Sequence, residues 1–310
     1  MATVRYVNGT TGDNAWDGTS PVYTTGTTGP KKTIVGARAV TTNGSLVLIA
    51  PGVYLGEPVQ AFNSANDAGV VYRRDPRLPG RVIVDWEQSP TSLGGASAGN
   101  VNSYWLLQQV MCFMDIHFRN AYSSLASVAT LSIPYLIHCV FYQKDGTAQT
   151  SYGVTGYNGP SNLIFILNCT FYNLNTAIVV AAGLHYGNYF VGNIAHSSGG
   201  TGVNAYSAWP GATGTGNINT STGANPGLTD APNEDFSLDP VSVPADWETF
   251  MVSGFQGGSI GAWGNGGILY TPNFGSLKFL SPDPNMAAGN PQPGWENDTT
   301  YADGTPGDII

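Results

Sequence analysis

Four stretches of this chain can be laid over one another: Asp115-Ile116-His117-Phe118-Arg119-Asn120, His138-Cys139-Val140-Phe141-Tyr142-Gln143, Asn168-Cys169-Thr170-Phe171-Tyr172-Asn173 and Gly192-Asn193-Ile194-Ala195-His196-Ser197. The steps from Phe118 to Phe141, to Phe171 and to Ala195 are 23, 30 and 24 residues. A degenerate period of this size is the mark of a repeat architecture. One turn of a three-stranded solenoid needs three short strands and their bends, which a length in the low twenties supplies. Equivalent strands then pair in parallel one turn apart, at about 4.8 Å, so like residues stack on like. On this reading Cys139 sits over Cys169 and Phe141 over Phe171.

Parity sorts the two faces. Ile116 and Phe118, Cys139 and Phe141, and Cys169 and Phe171 share one parity, and all are apolar. They are expected to point inward, and Asp115, His117 and Arg119 outward. Further strand-like runs are Leu46–Ala50, Gly69–Tyr72, Arg81–Asp85, Trp105–Gln108, Tyr135–Ile137, Leu163–Ile166, Ala177–Ala181 and Tyr189–Val191. Turn signals separate them, among them Pro51-Gly52, Pro79-Gly80, Asn158-Gly159-Pro160 and Asn225-Pro226-Gly227. One helix is expected over Lys32–Val40, placed to cover the open end of the solenoid, where a bare edge would pair with other chains. The fold class expected is all-β: a single-stranded right-handed parallel β-helix with an N-terminal capping helix and an extended acidic C-terminal tail. Its divisions are 1–45 (cap), 46–263 (β-helix) and 264–310 (a Gly/Pro-rich extension).

Composition agrees. The 310 residues include 41 glycines and are 42% hydrophobic but only 10% charged. That suits strands joined by tight turns, with enough apolar residues to fill a core. The net charge of −9 is concentrated: residues 220–310 carry eleven acids against the single base Lys278. The segment reads as a solvated acidic stretch or as a docking surface for a basic partner. No basic stripe is present, so nucleic acid is not an expected partner. Cys112, Cys139 and Cys169 each lie in an apolar run and read as small buried residues, with neither disulfide nor metal spacing. Met1 leads into Ala2-Thr3-Val4-Arg5-Tyr6 with no basic-then-apolar leader, so no signal peptide is expected. Nor is a membrane span, for want of a long apolar run.

The N-terminus carries a resemblance. Tyr6-Val7-Asn8-Gly9, Gly12-Asp13-Asn14, Trp16-Asp17-Gly18-Thr19 and Gly29-Pro30-Lys31-Lys32-Thr33-Ile34 lead through Ala37-Arg38-Ala39 to Leu46–Ala50 and Pro51-Gly52-Val53-Tyr54. This resembles the opening of pectate-lyase-like right-handed parallel β-helix proteins, in particular the virion decoration and tailspike branch from bacteriophages. Asn225–Asp230, Asp235-Phe236-Ser237-Leu238, Ser242–Asp246 and Gly258–Trp263 are similar to the group's closing segments. The resemblance implies the fold. It leaves activity open, since the group spans lyases, hydrolases, epimerases, adhesins and inert virion parts.

The outward ladder holds the candidate site residues. Its columns are Asp115, His138 and Asn168; His117, Val140 and Thr170; and Arg119, Tyr142, Tyr172 and His196. Asp115, His138 and His117 are the candidates for acid–base catalysis. Arg119, Tyr142, Tyr172 and His196 are candidates for binding glycan or a neighbouring subunit. Glycoside hydrolysis needs two carboxylates about 5–9.5 Å apart, and within the repeats Asp115 stands alone. Asp85 and Glu87, near Arg73, Arg74, Arg77 and Arg81, read as a salt-bridged turn, and Asp13, Asn14 and Asp17 as a structural turn. No metal and no cofactor are expected.

These features favour a non-enzymatic virion surface protein of a bacteriophage, a capsid decoration or spike component. It would be made in the host cytoplasm, be homotrimeric, and contact other virion proteins and host-surface polysaccharide. Two alternatives remain open: a polysaccharide lyase or glycoside hydrolase of the β-helix type, and a non-catalytic glycan-binding adhesin.

Overall fold

The structure is a computed structural model. It describes residues 3–86 except 56, 58, 59, 63 and 64, and, from 105 to 238, the strands and the turns attached to them.

Strands are numbered along the chain, and almost all belong to three parallel sheets. The first sheet stacks Val4–Val7 (β1), Leu46–Ile49 (β2), Val70–Arg74 (β5), Met111–Met114 (β8), Pro134–Ile137 (β11), Leu163–Leu167 (β14), Ala182–Tyr186 (β17) and Val203–Ala205 (β20). The second stacks Gly52–Leu55 (β3), Val82–Asp85 (β6), Ile116–Arg119 (β9), Val140–Tyr142 (β12), Thr170–Tyr172 (β15), Tyr189–Val191 (β18), Ala208–Trp209 (β21) and Ile218–Asn219 (β22). The third stacks Gln60–Phe62 (β4), Trp105–Leu107 (β7), Ser123–Ser127 (β10), Tyr152–Gly156 (β13), Thr176–Val179 (β16) and Ala195–Ser197 (β19). From β8 to β19 the chain visits first, second and third sheet in strict rotation. The molecule is therefore all-β with parallel sheets. A short antiparallel hairpin, Leu228–Asp230 (β23) and Asp235–Leu238 (β24), stands outside them.

The side chains explain the register. Ile116, Phe118, Cys139, Phe141, Cys169 and Phe171 are buried in one core cluster, on the face their parity assigns. Phe118 stacks on Phe141 at 5.2 Å between ring centroids, and Phe141 on Phe171 at 5.0 Å. Each such pair contributes about 0.5–1.5 kcal/mol beyond its burial. A slip of one residue would turn every one of these rings to the other face. Gly153 in β13 makes room for this column, since a Cβ there would lie 2.5 Å from the Ala177 carbonyl oxygen and 2.8 Å from the Phe171 ring. All three cysteines are buried thiols outside any disulfide.

The fourth aligned stretch differs from expectation. Phe171 pairs with Phe190 in β18, 19 residues on, and not with Ala195. Ala195–Ser197 instead enters the third sheet, pairing with β16. The backbone register thus follows the shorter 19-residue step and not the match of polar flanking residues.

At the N-terminus, the helix is Ile34–Arg38 (α1), shorter than the expected Lys32–Val40. The Thr33 hydroxyl caps it by accepting from the Gly36 N–H at 2.9 Å. The buried Glu57 carboxylate accepts from the Ile34 and Val35 N–H groups at 2.6 and 3.1 Å. Burial raises the Glu57 pKa, and these two N–H groups act against that rise. Ile34 and Ala37 join the core. The outer edge of β1 is closed by the loop before the helix: Tyr6 N–H donates to Gly18 and Lys31 N–H to Tyr6, at 2.8 and 2.9 Å. Among the described residues, no helix is long and apolar enough to cross a membrane. The division at 263/264 and the extension 264–310 lie outside the described residues.

Candidate functional site

The outward face of the second sheet presents two columns. Val53, Ile83, His117, Val140 and Thr170 form one, and Leu55, Asp85, Arg119, Tyr142 and Tyr172 the other. The registers His117–Val140–Thr170 and Arg119–Tyr142–Tyr172 are those expected from the repeats. His196 is absent from its expected column, because β19 belongs to the third sheet.

This face is covered along its middle, although its sequence parity suggests an open surface. The hairpin of β23 and β24 lies across it. The Phe236 ring is 4.6 Å from that of Tyr142, 5.7 Å from Tyr172 and 5.9 Å from His117, centroid to centroid. Val140, Tyr142 and Phe236 form a small buried cluster, with Tyr172 packed against it. Beside it, the Glu234 carboxylate pairs with the Arg119 guanidinium and lies 3.4 Å from Lys144 Nζ. Arg81 Nη1 donates to the Glu234 carbonyl oxygen. Glu234 has φ of 66°, a tight left-handed bend that brings its carboxylate and carbonyl to this basic rim. At the N-terminal end of the same face, Val53 and Leu55 remain 47% and 59% exposed.

The electrostatics follow from this cover. Burial, and then the guanidinium groups of Arg81, Arg119 and Arg74, hold the His117 pKa down at about 3, so the ring is neutral. Burial and Glu234 push the Tyr142 phenol well above its ordinary value. Burial opposes the charge of Arg119, yet its pKa is raised by its bond to Asp85, with Tyr142, the Asp85 charge and Glu234 adding to it. Arg119 Nε donates to Asp85 Oδ2 at 2.7 Å and Asn120 Nδ2 to Asp85 Oδ1 at 3.1 Å. Asp85 is thus ion-paired as expected, but across coils to Arg119. Glu87 lies outside the described residues.

Asp115 and His138 belong to a different feature. Each is the residue at which the chain bends from a strand of the first sheet toward one of the second, with φ of 57° and 52°. Asp, Asn and His enter this left-handed conformation several times more readily than other non-glycine residues. The corner accounts for Asp115 and His138, and Asn168, expected in the same column, lies outside the described residues. The two side chains meet: Asp115 Oδ1 is 3.5 Å from His138 Nδ1, and Asp115 Oδ2 is 4.0 Å from Arg73 Nη2. Both are buried. His117, the third catalytic candidate, instead packs its ring against Tyr142 and Phe236. Among the described residues, no cluster of three or more His, Cys, Asp or Glu could hold a metal ion.

Glu234, Phe236, Arg81 and Lys144 are not among the candidate site residues read from sequence, although Arg81 and the Asp235–Leu238 segment are noted there for other reasons. Their signal is the acidic C-terminal third, residues 220–310, set against a nearly neutral remainder. No position in either stretch says which acid meets which base.

No protein-family model matches the chain, and no curated protein matches it. Among solved structures, a rhamnogalacturonan lyase is similar at 15% identity and a TM-score of 0.35, over 66% of this chain and 61% of that one. The chain therefore spans about three fifths of that protein's length, and so distant a likeness has no bearing on chemistry.

Proposed function

We propose that the chain is a right-handed parallel β-helix serving as a non-enzymatic structural protein on a bacteriophage virion surface, a decoration or spike component assembled as a homotrimer. The observation that carries the reading is the use of the polar ladder. Its basic and aromatic residues hold the chain's own hairpin, with Phe236 on His117, Tyr142 and Tyr172 and Glu234 on Arg119. A face built to grip a polypeptide segment suits assembly. The corner pair Asp115–His138 supports it too, since both residues answer a backbone requirement. The phage setting rests on the sequence reading alone: few catalytic constellations and an acidic, Gly/Pro-rich C-terminal segment suited to docking on another subunit.

The test is the solution mass of the purified protein, with reducing-sugar and unsaturated-product assays across a glycan panel on the same sample. A stable trimer that releases no product is the expected result. A monomer that releases product overturns the reading in favour of a lyase or hydrolase. Saturable glycan binding by a non-trimeric protein, without product, overturns it in favour of an adhesin.

A further inference from the structure

We infer that the outer edge of β3, Gly52–Leu55, pairs with the same edge of a second copy of this chain, the two strands running antiparallel about a two-fold axis at Tyr54. The inference goes beyond the proposed function and does not depend on how many chains make up the unit that pairs.

β3 is the first strand of the second sheet, and β6 is its strand partner on one side. The Gly52 N–H donates to the Arg81 carbonyl at 2.8 Å. In a parallel ladder Gly52 and Tyr54 therefore turn their N–H and C=O groups toward β6, and Val53 and Leu55 turn theirs away from it. Among the described residues, no backbone group bonds Val53 or Leu55 on that outer side. The same two residues carry the exposed apolar side chains of the strand. Sheet edges are ordinarily blunted by charge, proline, a bulge or a covering loop. β1, the first strand of the first sheet, is covered in this way, by Gly18 and Lys31. At β3 the usual devices are missing among the described residues. No charged residue lies between Arg38 and Glu57. The Glu57 carboxylate is buried on the Ile34 and Val35 N–H groups, turned away from solvent. Pro51 precedes the strand and leaves Val53 and Leu55 their donors.

The occupant that this edge fits is itself. Antiparallel pairing needs opposed residues that both turn their polar groups outward. A two-fold axis at Tyr54 sets Val53 opposite Leu55 of the second copy, and Leu55 opposite its Val53, so each opposed pair exchanges both N–H···O=C bonds. The same register lays Val53 against Leu55 twice on the outward face, which covers the exposed apolar pair on both molecules. The strands match in length and bring no like charges together. An antiparallel strand at the edge of a parallel sheet is a common addition. Four residues a side make a small contact, of the weak and transient class. The pairing is therefore concentration-dependent, and it joins two of whatever unit exists in dilute solution.

Val53→Cys and Leu55→Cys proteins, purified separately, are oxidised alone and as a mixture at raised concentration. In the inferred register these two positions face each other with Cα atoms about 5.5 Å apart, within disulfide reach. Val53 to Val53 and Leu55 to Leu55 are diagonals of about 7–8 Å, outside that reach. The mixture should give a disulfide joining residues 53 and 55, read by mass spectrometry, and neither variant alone should link. Wild-type protein, whose Cys112, Cys139 and Cys169 are buried, is the control that stays unlinked. Sedimentation gives the second readout. The wild-type mass should rise toward twice its dilute value with concentration, and Leu55→Lys should keep the dilute value with unchanged far-ultraviolet circular dichroism. Linking of either variant to itself as readily as in the mixture overturns the register. No link in the mixture, a wild-type mass that never rises, or a Leu55→Lys protein that doubles like wild type overturns the pairing. A monomeric dilute unit that still links and doubles overturns the proposed trimer alone, so the two failures are distinguishable.

Discussion

Two positions show how one residue type can be asked for by the backbone. At His138 the chain turns through a positive φ with a buried ring beside Asp115. A β-branched residue is strained there, whereas asparagine tolerates the bend. His138→Asn is expected to leave the urea midpoint near wild type, and His138→Val to lower stability by about 1–3 kcal/mol. Equal losses in the two variants would remove the corner as the reason for this residue. His117 is legible only in part. Its parity gave the correct face and register, but its burial under Phe236 depends on a segment more than a hundred residues away. Its pKa is lowered from 6.5 to about 3, so folding favours the neutral ring. The stability it lends is present above pH 6.5 and is lost as pH falls toward 3. His117→Gln should flatten the stability profile across that interval, as measured by denaturation at stepped pH. An unchanged slope would place the acid sensitivity elsewhere.

Among the elements, those with strong apolar alternation or β-branched runs were readable: β2, β5, β6, β11 and β18 all fall within a residue or two of their sequence-derived limits. The third sheet was harder. Ser123–Ser127 and Tyr152–Gly156 are rich in serine, glycine and threonine and carry no clear period. They are strands because their neighbours in the coil fix both ends. The hairpin was beyond reach for a different reason. Its residues Asp235–Leu238 were noted, but its docking pairs Arg119 with Glu234, 115 positions apart, and charge alone does not choose partners. Truncating Phe236 tests the hairpin as a unit. Removing a buried aromatic costs about 3–5 kcal/mol when the whole fold depends on it. Here the loss should be local. Phe236→Ala should expose Tyr142 and Tyr172 to iodination and open the hairpin to protease, with the far-ultraviolet circular dichroism of the sheets retained. Loss of the sheet signal as well would mean that the hairpin is part of the folding core.

Taken whole, the three sheets are parallel stacks in which each strand pairs with the strands on either side of it. The repeat made this legible, since stacked Phe118, Phe141 and Phe171 report contact between residues 23 and 30 apart. The insertion of β18 into that column, in place of the stretch around Ala195, was not legible, because the spacing there shortens to 19. Stability in such an arrangement is close to a sum over neighbours. Phe141→Ala should therefore act regionally. Amide exchange should quicken in β9, β12 and β15, while β2 and β5 stay protected. Uniform loss of protection over the chain would show a single cooperative block.

The hydrogen bonds of all three sheets run along the stack, from each strand to its counterpart in the next turn. Eight strands at about 4.8 Å between neighbours make the first sheet about 34 Å across. A pull on its two ends loads those bonds one turn at a time, like a zipper. A push between its ends is met by all three walls at once. Along that direction the sheets therefore resist compression better than tension.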